Sequence, residues 1–446
     1  MTLDEGWRRL HPISPVINSW QALVAVLALA VQQQGLGNNA FKVAGGLAVA
    51  VVVVTISYGV LAWRATRFRL LGPDLVLESG ILFKRSRRVP LARLQAVDIV
   101  RPLLARALGL AELKLEVAGG RSSDATLAYL SEPAAASVRN ELLALAAGLR
   151  DDVADVPAPD EAEETVVATT PVGLLVLSTL LSGPMLVVLA LIAAAAVFAI
   201  ASGEPAVFFG IAGSVLFGVG TQIWNVFNED FGTTVAASAD GLRVRRGLLE
   251  TRAQTVPPGR VQGVVIREPA IWRLFSWVRV EVTVAGYGRS FGGGSSGVTR
   301  LLPIASRAVG YGVIARVLPA VDWSAVEVAP APRRARWRAP IEAGRLAAGV
   351  GDEGGERVVV TRRGRFGHRS DIVPLARVQS VRLRQGPVQR ALGLASVAVD
   401  VSPGPVRAVA LHRDEKEARA LHDRLVTEAR AARAAALPDR WLLPGA

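Results

Sequence analysis

The sequence predicts a multidomain membrane protein in which four transmembrane α-helices carry three copies of one small α+β domain. Three observations predict it. Long apolar stretches without charge occur in two pairs, three segments align with one another without a gap, and each aligned segment passes from alternating β-patterns into an amphipathic helix.

A chain of 446 residues exceeds one ordinary core and allows roughly two to four domains. Its hydrophobic fraction of 51% and mean hydropathy of +0.35 are more than soluble globular chains carry, so part of it belongs in lipid. Lys and Arg number 51 against 38 acids, a formal charge of +13, and every cation except Lys42, Lys84, Lys114 and Lys416 is arginine. Attraction to polyanions and a genome rich in Arg codons both account for that excess. With lipid already implied, the basic surface reads as facing anionic lipid, and nucleic acid is not expected as a partner. Cysteine is absent, which excludes disulfides, thiolate metal sites and cysteine nucleophiles.

After a short N-terminus, residues 1–12, the apolar stretches cover residues 13–31, 43–63, 171–201 and 205–227. Each is long enough for a bilayer core that needs about 20 apolar helical residues. They form two hairpins, spanning 13–63 and 171–227. Arg8 and Arg9 precede the first while Arg64, Arg67 and Arg69 follow it, with only Lys42 between. The positive-inside rule then puts both termini in the cytoplasm of a multi-pass plasma-membrane protein. No ionisable side chain lies within a span, so no proton relay or ion ladder is expected. Gly183-Pro184 predicts a kink in the third span.

The repeat covers residues 75–119, 242–286 and 359–403. Identical in all three are Gly80, Gly247 and Gly364; Arg85, Arg252 and Arg369; Val89, Val256 and Val373; and Pro90, Pro257 and Pro374. So are Arg93, Arg260 and Arg377; Gln95, Gln262 and Gln379; Val97, Val264 and Val381; and Arg106, Arg273 and Arg390. The leading segment alternates about its glycine, which predicts a β-hairpin turning at positive φ. Proline ends that ladder because it has no amide hydrogen to donate. RLQAVDIV, RVQGVVIR and RVQSVRLR resume a strand, a short turn or helix follows, and another alternating strand comes after it. Amphipathic helices over 133–149, 305–318 and 413–436 close the copies. The domains are therefore placed at 64–150, 228–325 and 341–436, with an acidic linker at 151–170, a Pro/Arg-rich linker at 326–340 and a tail at 437–446.

A V-P-x-x-R-[LV]-Q-x-V strand followed by R-x-[LF]-G-L-A and a second alternating strand resembles the YdbS/YdbT-like bacterial pleckstrin-homology domain family. The arrangement of three copies with membrane hairpins is similar to its longer, YdbT-like members. The resemblance implies PH-like domains, each a partly open β-barrel of about seven strands capped by a C-terminal helix, in a bacterial membrane. It implies no chemistry. The middle copy departs from the pattern with Ser276-Trp277-Val278 in place of Gly-Leu-Ala, and the third copy has RRARWR, residues 333–338, where the others have a hairpin.

Candidate contact residues follow from the repeat and from composition. Arg93 with Gln95, Arg260 with Gln262 and Arg377 with Gln379 are spaced by two, which puts both side chains on one strand face, either toward a ligand or locked onto a neighbouring strand's backbone. Arg106, Arg273 and Arg390 suit a phosphate, a carboxylate or an internal ion pair. Arg333, Arg334, Arg336 and Arg338 around Trp337 suit lipid headgroups, or a solvated linker. The histidines His11, His368, His412 and His422 have neither metal nor triad spacing. No cofactor, metal or catalytic residue is expected. The function read from the sequence is a non-enzymatic, membrane-anchored scaffold whose repeats bind a protein partner, another copy or anionic lipid. The alternative is a subunit of a transport or envelope-stress complex.

Overall fold

A computed structural model describes residues 7–14, 38–71, 74–81, 83–91, 94–117, 125–146, 165–203, 205–238, 241–256, 258–285, 299–319, 321–351 and 356–435. The expected first span, 13–31, lies almost wholly outside them. The chain forms two compact units, residues 1–160 with 250–252, and residues 161–249 with 253–446.

In the first unit, β1 (Arg8–Arg9) pairs with β2 (Arg67–Leu71), and α1 (Asn38–Ala65) is inserted between them. β3 (Asp74–Ser79) and β4 (Arg85–Pro90) complete an antiparallel sheet in the order β1-β2-β3-β4. The β3–β4 turn uses Gly80 at φ 106, a conformation that a side chain disfavours. β5 (Leu94–Pro102), the five-residue α2 (Leu103–Ala107), β6 (Leu110–Val117) and β7 (Ala125–Ser131) form the second layer, closed by α3 (Glu132–Ala146). Period-two alternation turns Leu75 and Val89 of one sheet toward Val97, Leu113 and Leu127 of the other, and Ala135, Val138 and Leu142 of α3 seal the end.

The second unit repeats this plan twice. β8 (Thr165–Thr169) pairs with β9 (Thr234–Ser238), and all its apolar helices lie between them: α4 (Val172–Leu180), α5 (Gly183–Ser202) and α6 (Pro205–Asp230). β10 (Gly241–Arg246) and β11 (Glu250–Val256) follow, then β12 (Val261–Pro269), α7 (Ala270–Leu274), β13 (Trp277–Val284), β14 (Thr299–Ser306) and α8 (Arg307–Val317). The last repeat comprises β15 (Ala329–Pro330), β16 (Ala347–Gly351), β17 (Val358–Arg363), β18 (Gly367–Pro374), β19 (Ser380–Arg384), α9 (Pro387–Ala391), β20 (Leu394–Asp400), β21 (Ala408–Asp414) and α10 (Glu415–Ala435).

The last two repeats interlock. One sheet runs β14-β13-β12-β18-β17-β16-β15, so the second layer of the middle repeat continues into the first layer of the last. The core of the last repeat accordingly contains Val265 of β12 beside Val359 and Val373, under Ala418 and Leu425 of α10. A Cβ on Gly263 would sit 2.8 Å from the Ile372 carbonyl oxygen, which shows how closely the two backbones approach. The expectation of separate barrels at 228–325 and 341–436 is corrected to this extent. Each repeat has its two layers and its helix, but the sheet between the last two is shared.

Two further expectations change. The first strand of each repeat precedes the apolar insert: β8 lies inside the segment expected as an acidic linker and β15 inside the Pro/Arg-rich one. The third apolar stretch is broken rather than kinked. α4 ends at Leu180 and α5 starts afresh at Gly183, with Pro184 in its first turn, because proline has no N–H and its ring clashes with the carbonyl four residues back. α4 lies against the middle repeat, where Trp272 Nε1 donates to the Ser178 carbonyl at 3.2 Å. Among the described residues α5 is the one helix long and apolar enough to cross a membrane, with a mean hydropathy of 2.8 over its best window. Val187, Leu189, Leu191, Val197, Phe198 and Ile200 are exposed on it.

Candidate interaction surface

In the last repeat the connection from the first to the second strand holds no apolar helix. Pro332 opens a 3-10 turn over Arg333–Trp337, in which the Ala335 amide donates to the Pro332 carbonyl at 2.9 Å. A second turn, Ala343–Arg345, follows after Ala339 and Ala343 amides bond back to the Ala335 and Ala339 carbonyls, each at 2.9 Å. Ala335 and Ala343 are buried on Leu394, with Ala331 and Leu392 beside them. Small residues let the turn lie close to the domain and send its long side chains outward.

Arg333, Arg334, Arg336 and Arg338 are all exposed, and Trp337 is 83% exposed. Arg334 forms an ion pair with Asp414. Among the described residues Arg333, Arg336 and Arg338 form none. The hairpin tip between β17 and β18 comes up beside them: Arg365 meets Glu342 at 3.5 Å, and the Arg345 guanidinium donates to the Arg365 carbonyl. Phe366, 71% exposed, and Ile341, 53% exposed, thereby join Trp337 on a surface that is both apolar and cationic. Sequence reading missed Phe366 and Ile341, since an apolar residue at a hairpin tip gives no signal until its neighbours are known. His412 lies behind the turn, and its pKa is lowered by burial first and by the Arg338 charge second, against Glu342.

The repeated Arg/Gln positions are not brought into one polar strip. Arg93 and the Gln95 side chain lie outside the described residues. Arg260 and Arg377 end 3-10 turns, Pro258–Arg260 and Leu375–Arg377, so the one-strand-face geometry expected for Arg with Gln does not arise. Pro258 as the first residue of one turn and Pro374 just ahead of the other, each with its restricted φ, favour the turn over a continued strand. Arg377 Nη2 donates to the Gly259 carbonyl, a backbone lock between repeats. Gln262 is 7% exposed and reaches the Arg260 carbonyl at 3.4 Å, whereas Gln379 is exposed and bonds Ser402 Oγ at 3.1 Å.

Arg106, Arg273 and Arg390 are exposed on α2, α7 and α9. Arg106 Nη1 donates to Thr251 Oγ1 at 2.9 Å. Among the described residues none of the three has a carboxylate within ion-pair distance, and each lies on the short helix of its own repeat. No three of His, Asp and Glu among the described residues come together to hold a metal ion.

This chain is similar to the UPF0699 transmembrane protein YdbT of Bacillus subtilis (strain 168), at 21% identity over 320 residues. The match covers 63% of this chain and 63% of that relative's length. The model of the bacterial PH domain family matches residues 22–146, 172–308 and 347–429, one match for each repeat and together more than half of the sequence. On those matches, and on the two-layer, helix-closed repeat that underlies them, the chain belongs to the bacterial PH domain family.

Proposed function

We propose that the chain is a non-enzymatic scaffold anchored in the plasma membrane, presenting its PH-like repeats at the cytoplasmic face to a protein partner and to anionic lipid. One observation carries this reading. Two repeats insert apolar helices between their first and second strands, and the third places an exposed Arg/Trp turn at the same point of the fold. Spans over 13–31, 43–63, 183–202 and 205–227 anchor the first two repeats, and the turn lays the third on the headgroups. The transmembrane description of the YdbT relative supports the anchoring.

Arg333, Arg336 and Arg338 contribute about 1 kcal/mol each near an anionic surface, so roughly 3 kcal/mol is available before screening and ordering costs. The aromatic and aliphatic side chains among them suit the interfacial zone. The test uses the full chain reconstituted in vesicles. Because it has no cysteine, Pro340→Cys offers a single site for a polarity-sensitive dye. In anionic vesicles the dye is expected to report an apolar setting at low salt and to lose it near 1 M salt, where the screening length falls to about 3 Å. Arg333→Gln, Arg336→Gln and Arg338→Gln together should abolish the signal. An identical signal in neutral vesicles would overturn the lipid assignment.

A further inference from the structure

The three repeats use one register in their second layers. Val97 faces Leu115, Val264 faces Val282 and Val381 faces Val399, and the next three pairs correspond in turn. In the middle repeat β12 has a partner on each side, with β13 on one and β18 of the next repeat on the other, in register from Val264 opposite Ile372 to Pro269 opposite Gly367. Cover there is complete: Val264 and Val265 are 0% exposed and Ile266 3%. β19 occupies the same place in the last repeat. Among the described residues β20 is its one partner strand, and Ser380, Arg382 and Arg384 are exposed while Val381 and Leu383 are half-buried.

We propose that the outer edge of β19 takes the leading β-hairpin of a second protein built from the same kind of repeat, as β12 takes β17–β18, and that this hairpin carries acidic residues opposite Arg382 and Arg384. The proposal rests on the scaffold function above and names its protein partner. Main-chain pairing along an exposed edge supplies the affinity, and alternate side chains select the occupant.

Charge decides which hairpin fits. In β12, Arg267 is met at 3.0 Å by Glu281 of β13, and the incoming strand sets Asp371 opposite Val265. The register equates Arg384 with Arg267, Arg382 with Val265 and Ala398 with Glu281. β20 therefore offers no acid at the place where β13 has one. Asp400 binds Ser380 and Arg382, and Arg384 forms no ion pair among the described residues. A strand bringing Asp or Glu completes the pairing. A second copy of this chain brings the opposite: in the same register, β4 at the edge of its own sheet would set Arg87 against Arg382 and Arg85 against Arg384. Like charges directly opposite destabilise a strand pair, and charged edges are a common guard against self-association.

The test uses the full chain in detergent with backbone-cyclised hairpin peptides of residues 358–374 as probes. One peptide carries Arg369→Glu and so presents two acids; the other carries Asp371→Arg and presents two arginines, as β4 does. The acidic hairpin is expected to bind at least about tenfold more tightly, the swing expected from two opposite-charge against two like-charge pairs, and to slow amide exchange across residues 381–384. On a chain with Arg382→Glu and Arg384→Glu the preference should reverse. No protection of β19 by either peptide, or equal protection by both, would overturn the proposal, as would a homodimer whose protected strand is β19. A chain that passes the vesicle assay yet leaves β19 unprotected keeps the membrane-docking function and loses this partner.

Discussion

Asp230 ends α6, where the last apolar helix of the second unit returns to the middle repeat, and its side chain is fully buried. Arg300 of β14 forms an ion pair with it, at 16% side-chain exposure, and Arg246 of β10 stands 3.9 Å from its other oxygen. Burial alone would lower the Arg300 pKa. The charge and hydrogen bond of Asp230, with the charge of Glu229, outweigh that and hold it above the ordinary value. Asp230→Ala leaves a guanidinium in a nearly closed site, and breaking a buried pair by removing one partner costs about 3–5 kcal/mol. Glu229 remains at 3.7 Å and is 46% exposed, so the lower end applies, about 3 kcal/mol. Denaturant unfolding of the chain in detergent, with limited proteolysis at the α6–β9 junction, reads the loss. Asp230→Ala with Arg300→Met removes both charges and should recover at least half of it. A single variant within about 0.5 kcal/mol of the parent, or a double variant worse than the two singles summed, would refute the clamp.

Two more outcomes follow from the backbone and from titration. Ser276 occupies a left-handed conformation, φ 52, where the other repeats have Gly109 at φ 66 and Gly393 at φ 60, so Ser276→Gly should stabilise the chain by about 1 kcal/mol in the same unfolding assay, and a loss of stability would count against the strain. The His412 pKa is depressed by burial, so the unfolded chain takes up protons first, and stability present above pH 6.5 should fall as pH drops below it; His412→Gln should flatten that part of the curve, and an unchanged slope would refute the assignment.

What was legible in the sequence was local and periodic. The glycine at each hairpin turn sits at positive φ in all three copies, and the closing helices begin and end within a few residues of where apolar spacing puts them. Pairing between repeats left only a faint mark: Val264-Val265-Ile266 of β12, covered by β18, is an unbroken apolar run of three, where Val381-Arg382-Leu383 of β19 alternates, and three residues are too few to be told from a strand of ordinary alternation. β1 and β15 are two residues long and carry no strand pattern, so the inserts read as preceding the domains when they interrupt them. The Arg/Gln motif misled for a related reason. Spacing by two implies one face only while the chain stays extended, and the 3-10 turns Pro258–Arg260 and Leu375–Arg377 intervene before the glutamine.

The point of insertion also constrains how the chain can cross a bilayer. β8 and β9 are hydrogen-bonded neighbours, as are β1 and β2, so whatever leaves one strand must come back to its neighbour, about 4.8 Å away. A single crossing would strand the two partners on opposite sides of the membrane. A helical hairpin, with axes about 8–10 Å apart, returns the chain almost to its starting point. α5 and α6, joined through residues 203–204, have that form, and each can be lengthened or lost without disturbing the sheet, since closing a longer loop adds little cost. The last repeat has no apolar helix there, and the turn through Arg333–Trp337 closes the same strand connection. The inserts are thus alternative fittings at one sheet position, and in the proposed membrane arrangement that position, rather than any one helix, would set which end of each repeat faces lipid.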